Sequence, residues 1–283
     1  MSKKNIDIAF LGLAQNCEIY LDNFFKVLNE VKKKNSIKVL IGENNSNDLT
    51  FDKIQSNILI NDDIQFIDTT FIEKFNDRIE RLALAREELK VTLEKLDISP
   101  KFVCVVDLDD VLNSNFNANT IYDLIETLQK NKSKYFAISV KSKPYYYDIL
   151  NFESDEFINH NVKSLQNNKK INSYVDRKKN IYDLQLKLTS KENFDCISGF
   201  NGMCIYFYED FIKSNYYDSI NNNDTTPEHL YLNRKLNKIT GKKLFVENYF
   251  LQMPYEHKPL TNIFLFISEK LIKYIGLYLK KFS

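Results

Sequence analysis

Loop-making residues are scarce in this chain, with six glycines and five prolines among 283 positions. That scarcity excludes a collagen-like or loop-dominated architecture. Charge of one sign is lacking too. Lys and Arg number 39 against 38 Asp and Glu, leaving a net charge of +1. There is no global basic field of the kind a nucleic-acid binder carries. The four cysteines, Cys17, Cys104, Cys196 and Cys204, form no C-x-x-C pair. Buried free thiols are the expectation, and they suit a reducing, cytoplasmic setting. Met1-Ser2-Lys3-Lys4 leads straight into a strand-like segment, without the apolar stretch and cleavage site of a signal peptide. No apolar run is long enough to cross a bilayer. The segment Leu11-Gly12-Leu13-Ala14-Gln15-Asn16 has one glycine and no lysine, so a glycine- and lysine-rich phosphate loop is missing after the first strand.

What is present is enough for a sizeable core. The chain is 43% hydrophobic, with 17 Tyr and 21 Phe, and its length suits one large domain or a domain with an appendage. The organising stretch is Phe102-Val103-Cys104-Val105-Val106-Asp107-Leu108-Asp109-Asp110-Val111, an apolar run that ends in three acids. The run reads as a strand covered on both faces. In an open α/β sheet the carboxyl ends of strands border the ligand crevice. On a continuing strand Asp107 and Asp109 would lean to one face, where converging carboxylates repel unless a cation sits between them. Hard oxygen ligands suit Mg²⁺ or Mn²⁺. Acids after a strand also cap helices or face solvent, so the neighbouring segments must decide.

Taken in order, Ile6–Leu13 reads as a first strand, and Asn16 as the cap of a helix through Val31. Ser36–Ile41 reads as a second strand, which with the first forms a β–α–β unit and predicts a parallel sheet with a right-handed crossover. The polar loop Gly42–Thr50 is either an Asx-rich turn or a nucleotide-edge loop. A strand at Ile64–Asp68 and a long helix at about Phe71–Leu96 follow. Within that helix Arg86 lies inside an apolar run, where an unpaired charge is costly. Either a phosphate or a structural carboxylate would relieve it. A helix over Ala118–Gln129 and a strand over Tyr135–Val140 come next. The cluster Tyr145-Tyr146-Tyr147-Asp148 reads as a sugar platform or as edge-strand core.

Residues 155–193, rich in Asn and Lys, read as a helical insert or a mobile acceptor region. Two of the six glycines fall in Ser198-Gly199-Phe200-Asn201-Gly202, before a strand at Met203–Phe207. Thr226 is the expected N-cap of a helix with Pro227 at its first position and Glu228 in its first turn. A last strand, Lys243–Glu247, leads to a polar segment holding His257, which could return to a metal held by the acids. In 259–283, Phe264, Ile267, Leu271, Ile275, Tyr278 and Phe282 recur at helical spacing beside Lys270, Lys273, Lys280 and Lys281. This is a basic amphipathic helix, suited either to docking on the domain or to the inner face of an anionic membrane.

The order of these motifs resembles a GT-A fold glycosyltransferase, and within that class the capsule-associated α-1,3-mannosyltransferase-like group. The markers are Glu43 to Thr50, Arg78 with Arg81 to Arg86, Asp107-Leu108-Asp109-Asp110, Tyr147-Asp148, Ser198 to Gly202 and Glu228-His229. The resemblance spans roughly Ile6 to His257, which makes residues 1–258 the expected glycosyltransferase domain. The resemblance implies a Rossmann-like, mostly parallel sheet flanked by helices. It implies nucleotide-sugar contacts from Glu43, Asn44, Ser46, Asp48, Arg78, Arg86, Asp107, Gly199, Asn201 and Gly202. It also implies a DxD-type divalent-cation site at Asp107 and Asp109, with His257 as a further ligand. Glu228 would face the reacting sugars.

Chemistry narrows the roles further. Glycosyl transfer builds positive charge at the anomeric carbon and negative charge on the departing phosphate. A cation and an arginine suit the leaving group, while Glu228 and Asp148 suit the sugar, and one of them must act as base if the reaction inverts. The expected partners are therefore a nucleotide-sugar donor and a glycan or lipid-linked glycan acceptor in surface or capsular polysaccharide synthesis. The alternatives are a nucleotidyltransferase acting on sugar phosphates, disfavoured by the missing phosphate loop, and a non-catalytic glycan-binding protein at the membrane surface.

Overall fold

The computed structural model describes residues 3–113, 115–157, 171–217 and 226–254. His257 and the 259–283 segment lie outside the described residues. Five strands alternate with helices through the first half of the chain: β1 (Lys4–Ala14), α1 (Glu18–Lys32), β2 (Ile37–Glu43), α2 (Thr50–Ile58), β3 (Ile64–Asp68), α3 (Arg78–Lys95), β4 (Ile98–Asp107), α4 (Ala118–Lys130) and β5 (Tyr135–Lys143). The second half adds β6 (Phe152–Glu153), α5 (Ile171–Ser190), β7 (Phe194–Cys196), β8 (Ser198–Gly199), β9 (Met203–Phe207), α6 (Tyr208–Phe211), α7 (Glu228–Thr240) and β10 (Lys243–Gln252).

Eight strands form one sheet in the order β3-β2-β1-β4-β9-β5-β10-β7, and β6 pairs with β8 apart from it. Strands β3, β2, β1 and β4 are mutually parallel, β5 pairs in parallel with β10, and β9 and β7 run against their neighbours. The sheet is therefore mostly parallel, and its central strands are buried on both faces. In β1, Ile8 and Phe10 enter one core with residues of α1 and α4, such as Phe24, Leu28 and Ile121. Ala9 and Leu11 enter the other, with Leu89 and Leu93 of α3 and Leu232 and Leu236 of α7. Two helical layers thus sandwich the sheet, which is why β1 and β4 read as unbroken apolar runs. The chain winds outward from β1 to β3, then crosses back so that β4 lies on the other side of β1. That reversal makes the carboxyl ends of β1 and β4 the topological switch point, the place where open α/β sheets bind their ligands.

Several boundaries differ from expectation for local physical reasons. Asn16 does not cap α1. Its φ is +52°, a left-handed conformation that asparagine tolerates, and its side chain bonds the neighbouring loop instead. The expected helix from Phe71 is interrupted: residues 70–74 form a 3-10 turn, and α3 starts at Arg78, where Asp77 accepts from the Glu80 N–H at 2.9 Å. A short helix, α2, occupies Thr50–Ile58, where the sequence suggested only the end of a loop. At α7 the start shifts by one residue. Pro227 takes the N-cap position without a side-chain cap, and Glu228 opens the helix. The aromatic cluster is core rather than an open sugar platform, because Tyr145, Tyr146 and Tyr147 are all buried. All four cysteines are buried free thiols. Among the described residues, no helix is long and apolar enough to cross a membrane.

Candidate active site

The site begins where β4 stops. The strand ends at Asp107, Leu108 turns inward and is buried, and a 3-10 turn spans Asp110–Leu112. Asp109 therefore sits in the turn and not on a continuing strand. Its Oδ1 accepts from the Val111 N–H at 3.0 Å. Gly12 of β1 makes the turn possible: a side chain there would meet Leu108 at 2.8 Å, so the missing Cβ seats the residue between the two acids.

Arg86 reaches this turn from α3. It is 6% exposed. Its Nη2 donates to Asp107 Oδ1 at 2.7 Å and its Nε to Glu228 Oε1 at 3.2 Å, while the guanidinium lies over the Phe200 ring at 5.4 Å. Burial works against the charge, but Asp107 and Glu228 outweigh it and hold the arginine's pKa above its ordinary value. The partners that relieve this buried charge are thus two carboxylates of the protein. Tyr147 holds the other oxygen of Asp107, its hydroxyl donating to Oδ2 at 3.2 Å. Burial, then the neighbouring Asp107, Asp109 and Asp148, push the Tyr147 phenol well above its usual range. Three carboxylates therefore converge around one phenol.

The turn after β8 closes the site from below. Gly202 has φ +85°, and a side chain there would meet Val111 at 2.8 Å and the Tyr147 hydroxyl at 3.1 Å. Its carbonyl accepts from the Asp107 N–H at 2.9 Å. Asn201 Oδ1 accepts from the Asp148 N–H at 3.1 Å, while its Nδ2 is buried with no partner among the described residues. Gly199 is different: the space at its Cα is filled by Cys196, Val246 and Leu244, so it serves core packing rather than the site. Next to Glu228, His229 is fully buried and stacks on Phe200 with ring centroids 3.5 Å apart. Burial, then Arg86, hold its pKa well below the ordinary histidine value.

At the ends of β1 and β2 the polar loop is clasped to the β1–α1 connection. Gln15 Nε2 donates to the Asn44 carbonyl at 2.7 Å, the Asn16 N–H to Ser46 Oγ at 2.9 Å, and the Asn47 N–H to Asn16 Oδ1 at 2.8 Å. Asp48 takes the Thr50 N–H at 3.0 Å and the Glu18 N–H at 3.2 Å, so it caps α1 from across the loop. Buried Glu43 accepts from the Ser46 N–H at 2.7 Å. Glu43, Ser46 and Asp48 are thus the loop's own framework. Asn44 Oδ1, by contrast, is buried without a hydrogen-bond partner among the described residues. Arg78 is exposed at the start of α3, eight residues or about 12 Å along the helix from Arg86.

Of the sequence-derived residues, Arg86, Asp107, Asp109, Asp148, Asn201, Gly202 and Glu228 are brought together, with Glu43 to Asp48 on the β2 side. Tyr147, expected as part of a sugar platform or of edge-strand core, instead braces Asp107, and Phe200, expected in no particular role, lies under Arg86. Their contacts join residues far apart in sequence, which no local pattern signals. Among the described residues no group of three His, Cys, Asp or Glu side chains could hold a metal ion. One or two carboxylates, completed by substrate phosphates and water, are however the usual protein share of a Mg²⁺ site. Asp107 and Asp109, at the end of β4 and in the turn after it, have the hard oxygen donors that such a share calls for.

No protein-family model matches the chain, and no curated protein does. Solved structures do. The Pyrobaculum calidifontis mannosyltransferase PcManGT, in complex with GDP-Man and Mn²⁺, is 11% identical with a TM-score of 0.51, over 90% of this chain and 59% of that one. S. aureus TarS 1-349 is 12% identical with a TM-score of 0.47, over 88% and 61%. Mycobacterium tuberculosis glucosyl-3-phosphoglycerate synthase, in complex with Mn²⁺, UDP and glucosyl-3-phosphoglycerate, is 10% identical with a TM-score of 0.49, over 91% and 75%. The chain thus spans about three fifths of the length of the first two. Sheet order and the likeness to PcManGT agree on one architecture: the chain has the Rossmann-like GT-A fold.

Proposed function

We propose that this chain is a divalent-cation-dependent glycosyltransferase that moves a sugar from a nucleotide-sugar donor to a glycan acceptor. The observation that carries the reading is the joint placement of Asp107, Asp109, Arg86, Tyr147 and Glu228 where β4 ends beside β1. The fold shared with a mannosyltransferase whose structure holds GDP-Man and Mn²⁺ supports it.

The chain's own residues divide the work. Asp107 and Asp109 would hold the cation, which when bound offsets the charge gathering on the departing diphosphate. Arg86 and Tyr147 fix the two oxygens of Asp107, so that carboxylate is preorganised. Asn44 Oδ1, buried and unpartnered among the described residues, suits an N–H of the nucleobase. As the sugar leaves, the anomeric C–O bond breaks and its electron pair goes to the diphosphate. The acceptor hydroxyl oxygen forms the new bond and gives up its proton. Glu228, 5% exposed and tied to Arg86, serves as fixed negative charge toward the sugar cation. Asp148 is half-buried and closer to solvent, and it is the group we assign to receive the proton.

We place the acceptor in surface or capsular glycan assembly, following the motif order, and assign the 259–283 segment to the membrane surface, with His257 as a further cation ligand. The direct test incubates the full chain with UDP-glucose, UDP-N-acetylglucosamine and GDP-mannose, with Mn²⁺ or with EDTA, and measures release of UDP or GDP. One donor should be cleaved in Mn²⁺ only. Release from none of them, with no thermal shift by any, sinks the reading. For the tail, flotation with anionic vesicles should be lost when Lys270, Lys273, Lys280 and Lys281 are all changed to Glu.

A further inference from the structure

Asn151 belongs to no sequence motif, yet both ends of its amide are committed. It closes the 3-10 turn Ile149–Asn151 and is 7% exposed. Its Nδ2 donates to Asp148 Oδ2 at 2.8 Å, and its Oδ1 accepts from the Leu230 N–H at 3.1 Å. Leu230 lies in the first turn of α7, the helix that Pro227 leaves without a side-chain cap. A helix start has N–H groups with no partner inside the helix, and here the acceptor comes from a residue 79 positions away. The amide orientation is not arbitrary. An N–H can only donate, so Oδ1 must face Leu230, which leaves Nδ2 for the Asp148 carboxylate.

The rest of Asn151 is anchored in the interior. Its carbonyl accepts from Ser198 Oγ at 2.6 Å. Ser198 Oγ in turn accepts from Asn233 Nδ2 at 3.1 Å, and Asn233 Oδ1 from the Tyr206 hydroxyl at 3.1 Å. Ser198, Asn233 and Tyr206 are all buried. The link is therefore tied to the sheet through β9 and not to a surface loop.

We infer that Asn151 is a positioning residue that locks the Asp148 carboxylate and the first turn of α7, and with it Glu228, into one geometry. In the transfer proposed above these are the proton acceptor and the fixed charge, and only the turnover part of this inference rests on that reading. An aspartate at this position keeps the acceptor for Leu230 but turns the donor into a second negative charge facing Asp148. Two carboxylates at hydrogen-bond distance cannot both ionise without repulsion, so one binds its proton more tightly in the folded than in the unfolded chain. A carboxylate with a raised folded pKa is tolerated in acid and destabilises as pH rises through that value.

The test compares the wild type, N151D and D148N/N151D in the full chain. Melting temperature is followed from pH 5 to pH 8, and turnover is measured with whichever of UDP-glucose, UDP-N-acetylglucosamine or GDP-mannose the wild type cleaves. The melting deficit of N151D should be about 3 °C larger at pH 8 than at pH 5. D148N/N151D, which exchanges acid and amide, should recover most of that deficit while remaining inactive. At pH 8 the kcat of N151D should fall about tenfold, the value of one aligned hydrogen bond, with donor KM little changed, and the gap should close toward low pH. A deficit equal at every pH, a deficit undiminished in D148N/N151D, or wild-type turnover in N151D overturns the inference. A wild type that cleaves none of the donors and is thermally shifted by none removes the glycosyl-transfer reading instead, and the melting series then decides the link alone.

Discussion

Arg86 Nη2 stands 2.7 Å from Asp107 Oδ1, in a pair whose arginine is almost wholly buried and whose aspartate side chain is 22% exposed. The arginine belongs to α3, the crossover that carries the chain back across the sheet, and the aspartate to the strand that crossover delivers. The topological reversal and the acidic turn are thus bonded to each other. With Glu228 on its Nε, the same guanidinium also ties α7 to the turn. A buried ion pair of this kind is weak support for stability. Its use here is orientation: it fixes one oxygen of the carboxylate that we propose holds the cation.

Removing Arg86 separates those two effects. R86A leaves Glu228 buried and unpaired, which costs about 3–5 kcal/mol, and turnover should fall at least about 100-fold as Asp107 loses its orientation. R86M/E228Q removes the buried charge together with its partner, so denaturant unfolding should return at least half of the lost stability. Turnover should stay down in both. R86K keeps the charge but lacks the planar fork that serves two carboxylates, and it should sit between them in stability while remaining poorly active.

Asp109 is tested more cleanly by D109N than by truncation, since the amide oxygen can still accept from the Val111 N–H that the carboxylate holds now. Melting temperature should move by no more than about 2 °C, as a substitution that keeps its hydrogen bond does. Calorimetric binding of UDP or GDP should lose its Mn²⁺ dependence, and donor cleavage should vanish. Metal-dependent binding equal to wild type in D109N removes the cation site from this turn.

Much of the sheet was legible because its central strands are buried on both faces. Ile6–Leu13 and Met203–Phe207 fall inside or on β1 and β9, where largely apolar runs have no other use, while Ile64–Asp68 coincides with β3, a mostly half-buried strand at the sheet's edge. Helix starts were less legible. Asn16 and Thr226 have the right chemistry for caps, but Asn16 is spent on Asn47 and α7 is capped from Asn151. The acidic turn could be placed from sequence because a strand must end where three acids begin. The braces around it could not: Arg86 to Glu228 spans 142 positions, and periodicity says nothing about a partner at that distance. Gly199 and Gly202 looked alike in sequence, yet one packs on Val246 and the other turns beneath Tyr147.

Gly202 follows from that contrast. Its φ of +85° is a region that L side chains avoid, and a Cβ would press on Val111 and the Tyr147 hydroxyl. G202A should cost about 2 kcal/mol for the backbone conformation and the displaced neighbours. The Asp107 N–H is bonded to this residue's carbonyl, so the shift reaches the carboxylate, and donor cleavage should drop more steeply than stability. Urea unfolding beside donor kinetics reads both. An equal loss in G199A, whose Cβ would meet core side chains alone, would mean that the activity loss is general softening and not displacement of the turn.

His229 supplies a pH dependence with a definite sign. It is fully buried, stacked on Phe200 and held edge-on by Tyr216 at 5.3 Å, and neither ring nitrogen has a hydrogen-bond partner among the described residues. Burial, then the Arg86 charge, hold its folded pKa well below 6.5. In the unfolded chain it titrates near the ordinary value of about 6.5. Above that pH both states are neutral and nothing is lost. As pH falls below it the unfolded state gains a proton the folded state refuses, so stability declines toward the depressed folded pKa, with a slope approaching about 1.4 kcal/mol per pH unit. H229F preserves a flat ring against Phe200 and removes the titration. Measured by denaturant unfolding between pH 7.5 and pH 5.5, the wild type should lose stability as pH falls and H229F should lose less, the difference between them opening only below about pH 6.5. Parallel curves for the two proteins would mean that His229 takes up its proton in the folded state, and that the pocket beside Glu228 is wetter than its packing implies.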